Sequence, residues 1–183
     1  MGKLVVSEFM TLNGVIEAPE TWAMDYHDEE IMALKLAELM ASDALLLGRT
    51  TYDVFAATWP DRTDEAGFAD KINSMPKYVV TSGEPAPWRN TTVIGSDLTE
   101  RVAALKEETS GDILVNGSGQ LVGALLAQGL VDQLTLVVYP VVRASGQRLF
   151  EDGAAALLKL VESRPFASGP VLATYAVRQG GQR

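Results

Sequence analysis

Two stretches of this chain run from apolar residues through glycine into a polar turn, and both have the residue types to hold a phosphate. Val115-Asn116-Gly117-Ser118-Gly119-Gln120-Leu121-Val122-Gly123 reads as a strand end, a glycine turn and a helix start. The first backbone N–H groups of a helix lack partners within it and attract anions, and glycine lets a ligand approach them closely. The spacing is Gly-x-Gly-x-x-x-Gly, and Val137 stands about 20 residues on, where a Rossmann unit carries an acid for ribose. The Rossmann fingerprint does not fit, and a plain glycine-rich turn is the competing reading. The second stretch is Leu46-Leu47-Gly48-Arg49-Thr50-Thr51-Tyr52. Arg49 can grip a phosphate through paired hydrogen bonds, while Thr50 and Thr51 can donate to it or simply cap a helix. If both strands are parallel members of one sheet, the two helix mouths share the edge where open α/β sheets bind ligands.

A third segment, Ser7-Glu8-Phe9-Met10-Thr11-Leu12-Asn13-Gly14-Val15-Ile16-Glu17, takes a strand into a loop that continues through Pro19 and Trp22. A long loop with apolar members at a strand end can close over a ligand as a lid. An ordinary connection is the other reading, since Asn-Gly is a common turn.

Composition narrows what these segments can serve. The 183 residues hold 15 Lys and Arg against 24 Asp and Glu, a formal net charge of −9. General affinity for nucleic acid or an anionic membrane needs a basic face, so neither partner is expected. An anionic ligand would have to be met by a few local cations and backbone N–H groups. There is no Cys and a single His, His27, which leaves no material for a thiolate or histidine-rich metal site, a Cys nucleophile or a Ser-His-Asp arrangement. Met1 to Glu8 lacks a signal-peptide core, because Ser7 and Glu8 break the apolar run, and no run approaches a membrane span. A cytoplasmic protein without a metal is expected.

The elements that must position these residues alternate. Leu4 to Phe9, Ala44 to Leu47, Tyr78 to Val80, Thr92 to Ile94 and Ile113 to Val115 read as strands. Asp28 to Ala41 reads as a helix with Met32, Leu36, Leu39 and Met40 on one apolar face, and its acidic start suits the helix dipole. Thr50 to Ala57 and Asp64 to Asn73 read as further helices. Asp97 and Glu100 have capping-box spacing ahead of Leu98, Val102 and Leu105, and Leu121, Val122, Leu125 and Leu126 form a nearly all-apolar helix ending at Gly129. Three β-type runs follow, Leu134 to Val142, Leu158 to Val161 and Val171 to Val177. The order implies one α/β domain over residues 1–183, with a mixed, mostly parallel central sheet, helices on both faces and antiparallel strands at the C-terminal end.

Taken together, Leu47-Gly48-Arg49-Thr50-Thr51-Tyr52, Lys77-Tyr78-Val79-Val80-Thr81-Ser82, Gly117-Ser118-Gly119 and Ser145-Gly146-Gln147-Arg148-Leu149-Phe150 resemble the dihydrofolate reductase fold family. The resemblance is closest to the branch of the reductase domain of the bifunctional riboflavin-biosynthesis deaminase-reductase, and it runs in order from Leu4 to Tyr175. It implies a three-layer fold and an NADPH-dependent reductase. By that resemblance Gly48, Arg49, Thr50, Thr81 and Ser82 bind the adenosine-phosphate side, and Gly117, Ser118, Gly119, Gln120 and Leu121 cradle the pyrophosphate. Ser7, Asn13 and Gly14, with Trp22 nearby, would contact nicotinamide and substrate. Asn13-Gly14 stands where that branch carries Asp-Gly, which removes a carboxylate from the loop, and Val142 to Gly146 replaces a more glycine-rich version. The deaminase's zinc site has no counterpart in a chain with one His and no Cys.

The expected activity is hydride transfer to a small heterocycle, of pterin or riboflavin-precursor pyrimidine type. Asp28 is the first choice for the proton donor, although it also suits a helix N-cap, and Glu8 is the second. A nucleotide-binding or scaffold protein without turnover is the rival reading. A further expectation is that Arg49, Thr81 and Ser82, joined by Arg89, favour NADPH over NADH through a 2′-phosphate. The apolar C-terminal strands and the resemblance both point to a homodimer.

Overall fold

The computed structural model describes residues 1–26 and 28–178; His27 and the last five positions lie outside the described residues. Eight strands form one sheet: β1 (Leu4–Thr11), β2 (Ser42–Gly48), β3 (Lys77–Val80), β4 (Thr91–Ile94), β5 (Asp112–Val115), β6 (Gln133–Tyr139), β7 (Leu158–Pro165) and β8 (Val171–Val177). Their spatial order is β4-β3-β2-β5-β1-β6-β8-β7. The pairs from β4 to β6 are all parallel, whereas β8 is antiparallel to both β6 and β7. The antiparallel pairs therefore lie at the C-terminal end, as the run of consecutive strands implies. Only β8 is reversed, since β7 turns back to the common direction.

Central parallel strands are covered on both faces, so they read as unbroken apolar runs. Ala44 to Leu47 are at most 1% exposed. Five helices, α1 (Glu29–Ala41), α2 (Arg49–Thr58), α3 (Phe68–Ser74), α4 (Leu98–Glu108) and α5 (Gly119–Ala127), supply that cover. Leu39 of α1, Tyr52 of α2 and Ile72 of α3 pack with Leu45, Leu47 and Val79 in one cluster. Val102 and Leu105 of α4 and Leu121, Val122, Leu125 and Leu126 of α5 pack with Leu4, Val6 and Ile113 in another. The helices thus sandwich the sheet.

Several local expectations need correction. The buried residues of α1 are Ile31 and Leu39, whereas Met32 is 49% exposed and Met40 43%. The helix starts at Glu29 because Asp28 caps it, accepting from the Glu30 N–H at 2.8 Å. Residues 64–67 precede α3 rather than belonging to it, and the Asp64 carboxylate accepts from the N–H groups of Phe68 and Ala69. Asp97 stands at the N-cap of α4, but its side chain makes no cap bond and takes the Ser96 hydroxyl instead. β6 ends at Tyr139, leaving Val142 69% exposed beyond it.

Candidate functional site

The two glycine mouths meet at the C-terminal edge of the parallel strands. Ser118 Oγ accepts a hydrogen bond from the Gly48 N–H at 2.9 Å and donates to the Asn116 carbonyl at 3.2 Å. A Cβ at Gly48 would stand 3.3 Å from Ser118, and one at Gly117 would stand 2.7 Å from Thr51 Oγ1. Gly117 and Ser118 both hold positive φ, 58° and 64°, which turns the chain sharply between β5 and α5. Neither α2 nor α5 has a side-chain cap at its N-terminus. Two uncapped helix starts side by side, with room kept by glycine, fit a diphosphate.

Arg49 leads from this point toward the next strand end. Its Nε is 2.6 Å from Asp53, and its guanidinium packs beside Gly83, just past Thr81 and Ser82. Arg49 and residues 81–83 are therefore neighbours at the end of β3. Arg89 is not: its Nε donates to the Asn73 carbonyl, and it sits by Lys77 at the opposite end of the same strand.

A cleft of about 980 Å³ opens in front of the mouths. Ser7, Glu8, Thr50, Thr51, Gly117 and Ser118 line it, so it draws together members of all three segments singled out in the sequence. Beyond Val6 and Val115, β1 and β5 no longer pair, and Asn116 Nδ2 reaches back to the Ser7 carbonyl at 2.7 Å. Glu8 lies in that opening. It is 5% exposed, and its Oε1 has no hydrogen-bond partner among the described residues. Burial pushes its carboxyl well above the ordinary carboxylate range, against the pull of Lys35 and a hydrogen bond from the Gly117 N–H. A carboxyl raised in this way holds its proton to higher pH than an exposed one, which at a cleft wall suits a hydrogen-bond donor and an acid.

Ser7, on the opposite face of β1, serves a different purpose. Its hydroxyl accepts from Lys35 Nζ at 2.6 Å and donates to the Glu38 carboxylate at 2.8 Å, and Lys35 pairs with Glu38 at 2.8 Å. Sequence reasoning missed Lys35 and Glu38. Their spacing of three on α1 was the available signal, but a strand partner 28 and 31 positions earlier was not visible locally.

The loop after β1 is tied down rather than free to act as a lid. Asn13 Nδ2 donates to the Arg143 carbonyl at 2.7 Å, and its Oδ1 accepts from the Arg143 N–H at 3.1 Å. Val15 bridges Arg148, and the Gln147 N–H donates to Glu17 at 2.8 Å. Asn13 and Gly14 are outside the cleft lining, and Gly14, with φ of 89°, makes the turn. Trp22 is core: its indole donates to the Glu17 carbonyl and its ring meets Tyr139 edge-on at 5.3 Å.

The glycine turn itself is divided. Gly117 and Ser118 face the cleft with Gln147, whereas Gly119 and Gln120 line a second recess of about 620 Å³ beside Leu149, Glu151 and Asp152. Leu121 is packed in the core. Asp28 is likewise outside the cleft lining; Ser168 and the first N–H groups of α1 hold its carboxyl below the ordinary range, so it remains an anionic cap. Of the two acids considered from sequence, the structure brings Glu8 to the cleft.

Comparison with known proteins agrees with this architecture. Residues 2–172 match the family model of the RibD C-terminal domain. A Bacillus subtilis (strain 168) protein named YwjB, itself uncharacterized, is 30% identical over 115 residues, which span 60% of this chain and 59% of that protein. A putative riboflavin biosynthesis protein from Shewanella sp. PV-4 superposes with a TM-score of 0.79 at 18% identity, covering 98% of this chain and 100% of the other. A pyrimidine reductase-like protein from Corynebacterium diphtheriae gives 0.72 at 15% identity, over 97% and 92% of the two chains. Dihydrofolate reductase from Enterococcus faecalis, complexed with NADP(H) and RAB-propyl, gives 0.68 at 17%, over 97% and 98%.

Proposed function

The chain belongs to the RibD C-terminal domain family, a reductase-type fold, and from that premise we propose that it is an NADPH-dependent reductase of a small heterocycle. The observation that carries this reading is the pair of uncapped helix mouths packed together beside a cleft that contains a buried acid. The N–H groups at the start of α2 and the Ser118 N–H at the mouth of α5 hold the diphosphate, with Gly48 and Gly117 giving it access. Arg49 releases Asp53 and, with Thr81 and Ser82, takes the 2′-phosphate. When bound, the dihydronicotinamide supplies a hydride.

Ser7 and its Lys35–Glu38 partners fix the cleft end of β1, and Glu8 beside it delivers the proton. Glu8 would give its proton to the nitrogen or oxygen of a substrate C=N or C=O group whose carbon takes the hydride, and a proton from solvent would then restore Glu8. In this reading Asp28 keeps its capping role. Titration calorimetry tests the cofactor half: NADPH binds more tightly than NADH, and Arg49→Ala removes the difference, because a charge-assisted bond to phosphate contributes roughly 1.5–3 kcal/mol. Equal affinities for the two cofactors would refute it.

We also infer a cytoplasmic homodimer. No helix among the described residues is long and apolar enough to cross a membrane. β6 is covered within its own chain, so the apolar surface left for a partner lies on the edge strand β7 and its surroundings. Leu157 and Leu160 are each 53% exposed, Val161 61% and Val171 41%. Light scattering at micromolar concentration should give the mass of two chains; the mass of one chain would overturn this.

A further inference from the structure

The far wall of the cleft is apolar, and parts of it lie open. Met32 and Leu36 from α1 face Val54, Phe55, Trp59 and Phe68 across the opening. Met32 is 49% exposed and Val54 58%. Apolar side chains from three different helices that converge on one concavity mark a surface shaped for an apolar ligand. The Trp59 and Phe68 rings lie 4.9 Å apart, inclined by 32°, and extend this wall to the rim.

The charged residues of the cleft have the opposite bias from a phosphate site. Among the described residues lining it, the acids are Glu8, Glu17, Glu20 and Asp64, and the cations are Lys35 and Arg62. Lys35 is committed to Glu38 and Ser7. Arg62 stacks over Trp59 at 5.3 Å, exposed at the rim. Hydrogen bonds from the Ala69 and Phe68 N–H groups keep the nearby Asp64 carboxyl below the ordinary range, so it is an anion there. The anion-receptive part of the wall is the pair of helix mouths, which the cofactor uses. A phosphorylated substrate would meet apolar side chains and carboxylates in what remains.

We propose that the substrate half of this cleft takes an uncharged, flat heterocycle without a phosphate, seated between the apolar faces of α1 and α2 with a hydrogen-bond acceptor toward Glu8. This rests on the reductase reading for the division of the cleft between cofactor and substrate. It separates the two substrate types that the fold leaves open, and disfavours a ribose-phosphate-bearing pyrimidine.

The test uses lumiflavin, riboflavin and riboflavin 5′-phosphate as probes, the last two differing by the phosphate alone. Binding to the full chain is followed by fluorescence quenching, with and without NADP⁺, which cannot reduce the flavin. Lumiflavin and riboflavin should bind at least about tenfold more tightly than riboflavin 5′-phosphate, because its charges face Asp64, Glu17 and Glu20. Met32→Glu should weaken all three probes, and Asp64→Asn should narrow the gap between the last two. Preference for the phosphorylated probe, lost in Arg62→Ala, would overturn the proposal, as would failure of all three to bind. NADPH binding is measured separately by calorimetry. Its absence would remove the reductase reading while the ratio of the flavin affinities still reports on the cleft.

Discussion

Lys77 and Glu8 are both buried ionisable groups on parallel strands of one sheet, and the protein treats them in opposite ways. Lys77 opens β3 at the N-terminal edge and is fully buried. Its Nζ donates to the carbonyls of Ile72, Asn73 and Met75 at 2.7–3.0 Å and lies 4.4 Å from the centre of the Trp88 ring. Every direction in which the ammonium can donate is used, closing the C-terminal turn of α3. Glu8 sits toward the C-terminal edge with an oxygen that has no partner among the described residues, at the wall of a cleft. A buried polar group without a partner carries a free-energy cost, and a site is where folded chains keep that cost. The contrast sets Lys77 as a satisfied structural cation against Glu8 as the acid that the proposed reaction uses.

The largest effect expected from breaking this contrast is on turnover. Glu8→Gln keeps the shape of the side chain but cannot give up a proton as an acid. Turnover should fall by roughly 10²-fold or more, the usual contribution of a general acid. The melting temperature should hold or rise. Unchanged turnover would move the proton donor elsewhere. Lys77→Met should do the reverse, destabilising by about 2–3 kcal/mol through three carbonyls left unpartnered, with NADPH affinity unchanged; denaturant unfolding with parallel calorimetry reads both.

The pH dependence of stability sharpens the comparison, because the two groups act with opposite signs. Folded Glu8 keeps its proton above the ordinary value of 4.5 at which the unfolded chain releases it. Folding then binds a proton, and stability falls as pH rises from there toward the raised folded value. Burial lowers Lys77 from 10.5 to about 8, so between those values the unfolded chain holds the extra proton and stability rises with pH. Denaturation midpoints across pH should lose the first slope in Glu8→Gln and the second in Lys77→Met. A Glu8→Gln profile identical to that of the parent chain would show that Glu8 is not protonated in the fold. The smallest effect belongs to the loop clamp: Asn13→Ala should cost about 1 kcal/mol through its lost hydrogen bonds to Arg143, and a change above 3 kcal/mol would mean the loop supports far more of the fold.

Local periodicity made most of the fold legible. Apolar runs such as Ala44 to Leu47 and Ile113 to Val115 can hardly be anything but covered strands, and the glycine mouths at Gly48 and Gly117 follow them directly. What escaped was set by distant partners. Asn13 looked like a turn or a ligand contact, yet its partner Arg143 is 130 residues away. Met32 and Leu36 share an apolar helical face with Leu39, but they border the cleft while Leu39 packs against the sheet. The Trp22 and Leu121 side chains pack into the core, which their places beside a loop and a glycine turn do not reveal. Lys77 gave no signal, because three converging carbonyls are a property of the folded chain.

A crystal structure of the chain grown with NADPH would locate every part of the cofactor at once. The diphosphate should lie within hydrogen-bond distance of the first N–H groups of α2 and of the Ser118 N–H, the 2′-phosphate on Arg49, and the nicotinamide in the cleft beside Glu8. NADPH bound away from these helix mouths, or with its nicotinamide outside the cleft, would contradict the proposed reading.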